Sequence, residues 1–331
     1  MNELRKTRAS LLSDLVIRPA KPEDIPATLE MYNALRPERP PMTLEEYNQH
    51  VRELTGKRYE PWAAELHGRV VGDFDLFEAR WYSTPDTFVL YGEVHEDFRG
   101  KGIGSRLHET MEERARAIGA RRVYTEVIET MPQSVSFLER RGWTRTGRTD
   151  QPLRLRVSAA NLDGFTGVEE RLSREGIRIT TLADVGRDDA AFLHAVHDME
   201  FRAERDMPGS EPRSQEPYEL WLHRQLEGPG RSPERFWVAM VGDRPVGVAR
   251  LRRTSGNTVS NALTGVDPEY RGRGIARALK LKTVEWACEH GAEFIFTAND
   301  AENQRMLSIN ISLGYRPLPA CIDLVKELPG S

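Results

Sequence analysis

The sequence predicts an α/β protein made of two versions of one mixed-sheet domain, and three observations carry that prediction. A Gly-rich phrase occurs twice, as Arg99-Gly100-Lys101-Gly102-Ile103-Gly104 and as Arg271-Gly272-Arg273-Gly274-Ile275-Ala276. Each copy lies between an apolar run of strand character and a series of apolar residues at helical spacing. The interval is constant, since Arg99 and Arg271, Thr125 and Thr297, and Gly142 and Gly314 are all 172 positions apart. A repeat of that period is a duplicated domain rather than a solenoid unit. At 331 residues the chain holds two domains of about 150 residues, each with its own core.

Taken in order, residues 1–14 read as a loose arm, and Leu15-Val-Ile-Arg-Pro19 reads as a first strand. Pro22-Glu-Asp-Ile-Pro26 starts a helix that runs through Tyr32. Thr43–Leu54 is a second helix, opened by a capping box of Thr43 and Glu46. Strands over 61–66 and 69–77 form a hairpin that turns at His67-Gly68. Thr87–Val94 is the strand before the first Gly-rich phrase, and Ile103, Leu107, Met111 and Ala115 mark the helix after it, stopped near Gly119. Arg122–Ile128 is the next strand, followed by a helix closed by Gly142-Trp143, and Leu153–Val157 closes the domain.

The second half repeats this order. Residues 158–176 read as a linker with a short charged helix, Val168–Arg174. Gly176–Thr181 gives the first strand and Asp189–Arg205 a helix. Residues 207–233 are the least regular stretch and include Tyr218–Leu222, a short amphipathic helix. The hairpin Phe236–Val241 and Pro245–Arg252 matches the first hairpin. Thr258–Val266, the helix marked by Ile275, Leu279, Thr283 and Trp286, the strand Glu293–Ala298 and a helix closed by Gly314-Tyr315 complete the copy. The expected division is thus an arm over 1–14, domains over 15–157 and 177–331, and a linker over 158–176.

Composition bounds the partners. Net charge is −4 with both signs mixed, which argues against nucleic acid. Arginine supplies 40 of the 47 basic residues. The histidines show no metal-ligand spacing, so no metal is expected. Met1–Asp14 is polar, and no apolar run approaches the ~20 residues of a membrane span. A cytoplasmic protein without a membrane partner is the expectation, as a monomer (a pseudo-dimer of repeats) or a homodimer. Of the two cysteines, Cys288 is expected to be a small buried hydrophobe on its helix.

A Gly-rich turn entering a helix leaves several backbone N–H groups pointing outward, where the helix dipole favours an anion. A phosphate or pyrophosphate is the natural occupant. Strand, Arg-Gly-x-Gly-Ile-Gly/Ala turn, helix, strand, helix and Gly-aromatic together resemble the GNAT superfamily of N-acetyltransferases, twice and over nearly the whole chain. The family motif, Gln/Arg-x-x-Gly-x-Gly/Ala, fits both copies. The resemblance implies that the fourth and fifth strands splay to admit the pantetheine arm of acetyl-CoA, the acyl donor. It places Arg99, Gly100, Lys101, Gly102, Ile103 and Gly104, and Arg271, Gly272, Arg273, Gly274, Ile275 and Ala276, around the CoA pyrophosphate. Val94 and Val266 would pair with pantetheine, one N–H there polarising the thioester carbonyl as an oxyanion hole does.

The copies differ around the shared turn. Val266-Asp267-Pro268 fits the family's Val-x-Pro, whereas Val94-His95-Glu96 lacks the proline. Thr297–Asn303, Met306, Asn310 and Leu313-Gly314-Tyr315 are similar to the last motif of the tandem acetyltransferases that include mycothiol synthase. That similarity puts Asn303 near the CoA arm, with Asn299 and Asn310 as polar groups at the cleft. The family's usual base position holds Phe88 and Ser260, and its usual tyrosine acid position holds Leu138 and Asn310. The substitute catalytic candidates are Glu126, on the fifth strand, and Glu93, at the end of the fourth. The expected function is transfer of an acetyl group to a primary amine of a small molecule or peptide in a ternary complex, mainly in the second half. A non-catalytic acyl-CoA-binding protein, a sensor or scaffold with one or both halves degenerate, stays open.

Overall fold

A computed structural model describes residues 11–53, 58–78, 84, 86–185, 189–205, 214–228 and 230–328. The chain divides into two units, the first formed by Met1–Val127, Met131–Gly147 and Ile322–Ser331, the second by Ile128–Thr130 and Arg148–Cys321.

In the first unit β1 (Leu15–Pro19) lies antiparallel to β2 (Tyr59–Leu66), which turns into β3 (Arg69–Glu78). His67 and Gly68 make the turn with φ of 50° and 79°, the left-handed geometry of a tight hairpin. β3 pairs antiparallel with β4 (Thr87–Tyr91), and β4 runs parallel to β5 (Arg122–Ile128). Helices α1 (Ile25–Ala34) and α2 (Leu44–Glu53) come before β2, α3 (Ile103–Ala117) connects β4 to β5, and α4 (Pro132–Glu139) follows β5. The expected capping box opens α2. The Thr43 N–H donates to Glu46 Oε2 (3.0 Å) and the Glu46 N–H to Thr43 Oγ1 (3.2 Å).

The closing strands depart from expectation. β6 spans Thr144–Arg156, longer than the predicted Leu153–Val157, and only its first four residues belong to the first unit. The strand beside β5 is β13 (Cys321–Glu327), the last strand of the chain. Its Leu324 is fully buried in the first unit's core with Phe74, Leu107 and Trp143. Lys326 there bonds Glu112 and the Arg141 carbonyl.

In the second unit the remainder of β6 pairs antiparallel with β11 (Phe294–Asp300), which runs parallel to β10 (Thr258–Val266). β9 (Arg244–Arg253), β8 (Phe236–Val241) and β7 (Ile177–Thr181) follow, all antiparallel, and β12 (Arg316–Pro317) pairs with β6. Its helices are α5 (Val168–Arg174), α6 (Leu182–Val185), α7 (Ala190–Arg205), α8 (Tyr218–Leu222), α9 (Ile275–Glu289) and α10 (Gln304–Ser312). Residues expected as linker fold into this unit, because Phe165, Val168 and Leu172 form an apolar stripe that is buried in its core. Leu153, Leu155 and Val157 lie in the same core, not in the first unit's. Cys288 is exposed on α9, contrary to the expected burial, while Cys321 is buried.

Candidate active site

Both units open their sheet at one place. β4 and β5 pair only through Thr87↔Arg122, Phe88↔Val123 and Val89↔Tyr124. β10 and β11 pair only through Thr258↔Phe294, Val259↔Ile295 and Ser260↔Phe296. Beyond the last pair a threonine satisfies the freed strand carbonyl. Thr125 Oγ1 donates to the Leu90 carbonyl (2.8 Å), and its counterpart Thr297 Oγ1 donates to that of Asn261 (3.2 Å). The splay expected from the sequence is therefore built twice, each time with a hydroxyl at the fork.

The glycine turn sits at the mouth of each fork. Gly100 and Gly102 have φ of 74° and 98°, and Gly272 and Gly274 have 82° and 92°, so backbone N–H groups point outward as in an anion-binding nest. Among the described residues the N–H groups of Gly100–Gly104 and Gly272–Ala276 donate to no carbonyl outside their helices. The motif arginine has a structural duty: Arg99 Nε donates to the Val94 carbonyl (2.9 Å) and Arg271 Nε to the Val266 carbonyl (3.1 Å). Each arginine thereby ties the strand end to the glycine turn. Gly72 and Gly247 lie under the following helices, where a Cβ would come within 3.0 Å of Leu107 and of Ile275.

The two cradles differ in detail. β10 runs unbroken to Val266, but β4 ends at Tyr91 rather than at the expected Val94, which rejoins the sheet by one bridge to Gly72. Added atoms at Gly100 or Gly272 would meet nothing, whereas a Cβ at Gly274 would lie 2.6 Å from Arg171 Nη2, a guanidinium from α5. The open turns and unpaired donors fit the pyrophosphate of acetyl-CoA.

The three asparagines take other partners. Asn303 caps α10, its Oδ1 accepting from the Met306 N–H (3.2 Å). Asn310 is fully buried and donates through Nδ2 to Asn299 Oδ1 (2.6 Å), while its own Oδ1 has no partner among the described residues. Of the carboxylate candidates, Glu126 is exposed on β5. The Glu93 side chain is buried and pairs with Arg36, just beyond the end of α1 (3.2 Å).

Glu93 proves to be one of three neighbouring carboxylates beside the strand end of the first unit. Its backbone N–H donates to Asp73 Oδ1 (3.1 Å), and Asp75 lies two residues farther along β3, on the same face. Tyr59 hydrogen-bonds Asp75, and the hydroxyls of Tyr59 and Tyr47 lie 2.8 Å apart. Burial, reinforced by the charge of Glu93, pushes the Asp75 carboxyl up to about 7. Asp73 is raised well above the carboxylate range for the same reasons, and burial pushes Tyr47 up to about 12. The sequence reading missed Asp73 and Asp75. Their signal was there: two carboxylates at alternate positions in the otherwise apolar run Val70–Phe77.

The second unit carries opposite chemistry at matched positions. Asp75 pairs across the sheet with Tyr91, and Arg250 pairs with Leu263, 172 positions beyond Tyr91. Asp73, Asp75 and Glu93 thus correspond to Val248, Arg250 and Gly265. A second matched pair lies inside the two helices that follow the glycine turns. His108 accepts from Trp143 Nε1 through Nε2 (2.8 Å), and burial lowers it to about 4. Its counterpart Lys280 is buried against the Tyr315 ring (5.5 Å to the centroid), bonds Asn261, and is lowered by burial to about 7. Asn261 in turn staples a bulge of β10, donating to the carbonyls of Arg250 (2.9 Å) and Leu263 (3.1 Å).

A family model for the acetyltransferase (GNAT) family matches residues 28–143 and again 193–309. The chain belongs to the GNAT family. As a GNAT protein it is 28% identical over 268 residues to mycothiol acetyltransferase of Nocardiopsis dassonvillei, covering 75% of this chain and 76% of that one. It is 34% identical over 96 residues to N-acetylaspartate synthetase of Homo sapiens, 29% of this chain and 31% of that one. In fold it resembles a tandem GNAT protein from the clavulanic acid biosynthesis pathway, with TM-score 0.69, 20% identity and coverage of 96% and 99%. It also resembles a GNAT protein of Sphaerobacter thermophilus, with TM-score 0.71, 20% identity and coverage of 96% and 97%. Among the described residues no group of three or more His, Cys, Asp or Glu side chains could hold a metal, and no helix is long and apolar enough to cross a membrane.

Proposed function

We propose that this protein transfers an acetyl group from acetyl-CoA to a primary amine of a small molecule or peptide by direct attack in a ternary complex. The observation that carries the reading is the pairing, in the first unit, of a glycine cradle with a carboxyl held at about 7 beside the strand end. Acyl transfer requires the ammonium to lose a proton before its nitrogen attacks the thioester carbon. Asp75 is poised to accept that proton near neutral pH, and Tyr59 and Tyr47 continue the hydrogen-bonded path from it. The tetrahedral adduct collapses with loss of the CoA thiolate, and the Val94 backbone is the group we assign to polarise the carbonyl. Names such as mycothiol acetyltransferase and N-acetylaspartate synthetase favour a small acceptor.

A second reading puts the chemistry in the second unit, favoured by the unbroken β10 and the Val266-Asp267-Pro268 turn. There Asp267 is buried and held by Arg202 (3.0 Å) and Arg244 (3.3 Å). CoA release with acetyl-CoA and an amine panel tests the activity itself, and paired variants separate the units. Gly102→Glu sets a carboxylate in the first cradle and Gly274→Glu in the second. The first reading expects turnover to collapse with Gly102→Glu and to survive Gly274→Glu, and the reverse pattern selects the second. Tight acetyl-CoA binding with no turnover on any amine would instead make the protein an acyl-CoA-binding scaffold.

A further inference from the structure

α5, which the sequence presents as part of a linker, packs beside the second glycine turn. Val168 and Leu172 bury it in the second unit's core. Two contacts with α9 fix it further. Lys282 pairs with Glu169 (2.6 Å), and Arg277 Nη2 donates to the Gly164 carbonyl (2.7 Å) just ahead of α5. The Arg277 guanidinium also lies over the Phe165 ring, 4.2 Å from its centroid. Arg171 is exposed on this docked helix. Its Nη2 reaches the turn itself, where a Cβ at Gly274 would lie 2.6 Å from it.

Gly274 is the N-cap of α9, with φ of 92°. A helix start carries the equivalent of about half a positive charge, and Arg171 adds a whole one at the same point. No carboxylate pairs with Arg171 among the described residues, and the nearby Glu169 is committed to Lys282. Two positive groups pressed together repel unless an anion lies against both. The contacts of α5 hold them together, so the helix cannot relieve the repulsion by moving away. A guanidinium also offers a planar fork of donors that matches phosphate oxygens.

We propose that Arg171 is a donor-binding residue of the second cradle, and that its guanidinium binds the pyrophosphate of acetyl-CoA together with the glycine turn. The proposal rests on the reading of that turn as a CoA site. It makes the second cradle select a thioester that carries a pyrophosphate over one that ends at pantetheine, and it gives the apparent linker a binding role.

Calorimetry on the full-length protein carrying Gly102→Glu, which blocks the first cradle, isolates the second. Should that background fold poorly, wild type serves, with the loss expected in one of its two binding phases. Arg171→Gln is expected to weaken acetyl-CoA binding by about tenfold. Arg171→Lys, which keeps the charge and loses the fork, is expected to fall between. S-acetylpantetheine, which has no phosphate, should bind all three proteins equally. Acetyl-dephospho-CoA, which lacks only the 3′-phosphate, should show the same loss as acetyl-CoA. Without ligand, Arg171→Gln is expected to raise the melting temperature, because it removes a like charge from the helix start; loss of a merely structural arginine would lower it. Acetyl-CoA affinity undiminished in Arg171→Gln overturns this inference alone. So does a loss that extends equally to S-acetylpantetheine, or one that vanishes with acetyl-dephospho-CoA. Absence of acetyl-CoA binding in wild type overturns the donor reading beneath it as well.

Discussion

Asp75→Asn is the most informative single change in the first unit. The substitution keeps the shape and the contact with Tyr59 but cannot accept a proton. With a carboxyl at about 7, roughly a tenth of the wild-type molecules carry the base at pH 6 and roughly nine tenths at pH 8. A positioned base contributes about 100- to 10,000-fold. The variant should therefore lose at least about 100-fold in kcat/KM at pH 8 and about tenfold less than that at pH 6. The acceptor amine also deprotonates as pH rises, but it does so for both enzymes, and the ratio of wild type to variant cancels it. CoA release measured from pH 5.5 to 9 supplies that ratio. Glu93→Gln sharpens the test: removing the charge that helps raise Asp75 should move the activity profile toward lower pH. Stability gives a second readout. The native state holds the Asp75 proton between about pH 4 and 7 while the unfolded state does not, so this group makes stability fall as pH rises through that window. Asp75→Asn removes that dependence, and its gain in melting temperature should grow from pH 4 and level off above 7. A ratio that stays flat from pH 6 to 8, with folding and acetyl-CoA affinity intact, refutes Asp75 as the base.

Lys280→Met should raise the melting temperature. Its amine is lowered to about 7 in the fold, so the penalty for burying it is full below pH 7 and fades toward pH 10.5, and the gain should follow that curve. Arg271→Lys loses the bonds from Nε to the Val266 carbonyl and from Nη2 to the Ala203 carbonyl, and calorimetry should find acetyl-CoA binding at the second cradle weaker by about tenfold. Leu324→Ala should destabilise the first unit by about 2–5 kcal/mol, read by hydrogen exchange on α3 and β3, although the residue lies near the C-terminal end of the chain.

Much of this was legible in the sequence because it depends on local pattern. Gly100, Gly102, Gly272 and Gly274 announce left-handed turns, and Thr43 with Glu46 announces a helix start. The closing strands were not legible. The tail Cys321–Glu327 is a short apolar run without clean alternation, and nothing in it says which sheet it enters, since pairing over that sequence distance is decided by which edge is open. Phe165, Val168 and Leu172 hid among charged and glycine residues, so a folded element read as a linker. The acidic site was partly legible. Glu93 stood out by its place at the end of the expected strand, while Asp73 and Asp75 needed the hairpin register to bring them beside it. Asn303 as a helix cap, and Asn310 bonded to Asn299, each have an internal use that motif position alone does not disclose.

The two units retain one backbone solution and diverge in side chains, and the divergence has a sign. At the fork each keeps the threonine, the arginine on the strand-end carbonyl and the two left-handed glycines, all acting on parts that any acyl-CoA shares. On the other side Asp75 is matched in position by Arg250, and Asp73 and Glu93 by Val248 and Gly265. A unit charge about 4 Å away contributes about 4 kcal/mol near a protein surface. The guanidinium of Arg250 is compensated by buried Glu200 at 2.5 Å, whereas no cation is paired with Asp75 among the described residues, so an incoming ammonium meets a different field beside each fork. The copies are thus matched at the glycine turn and the fork and differ in the side chains beside them, and on the reading proposed above the acidic unit is the one that takes the proton from the amine.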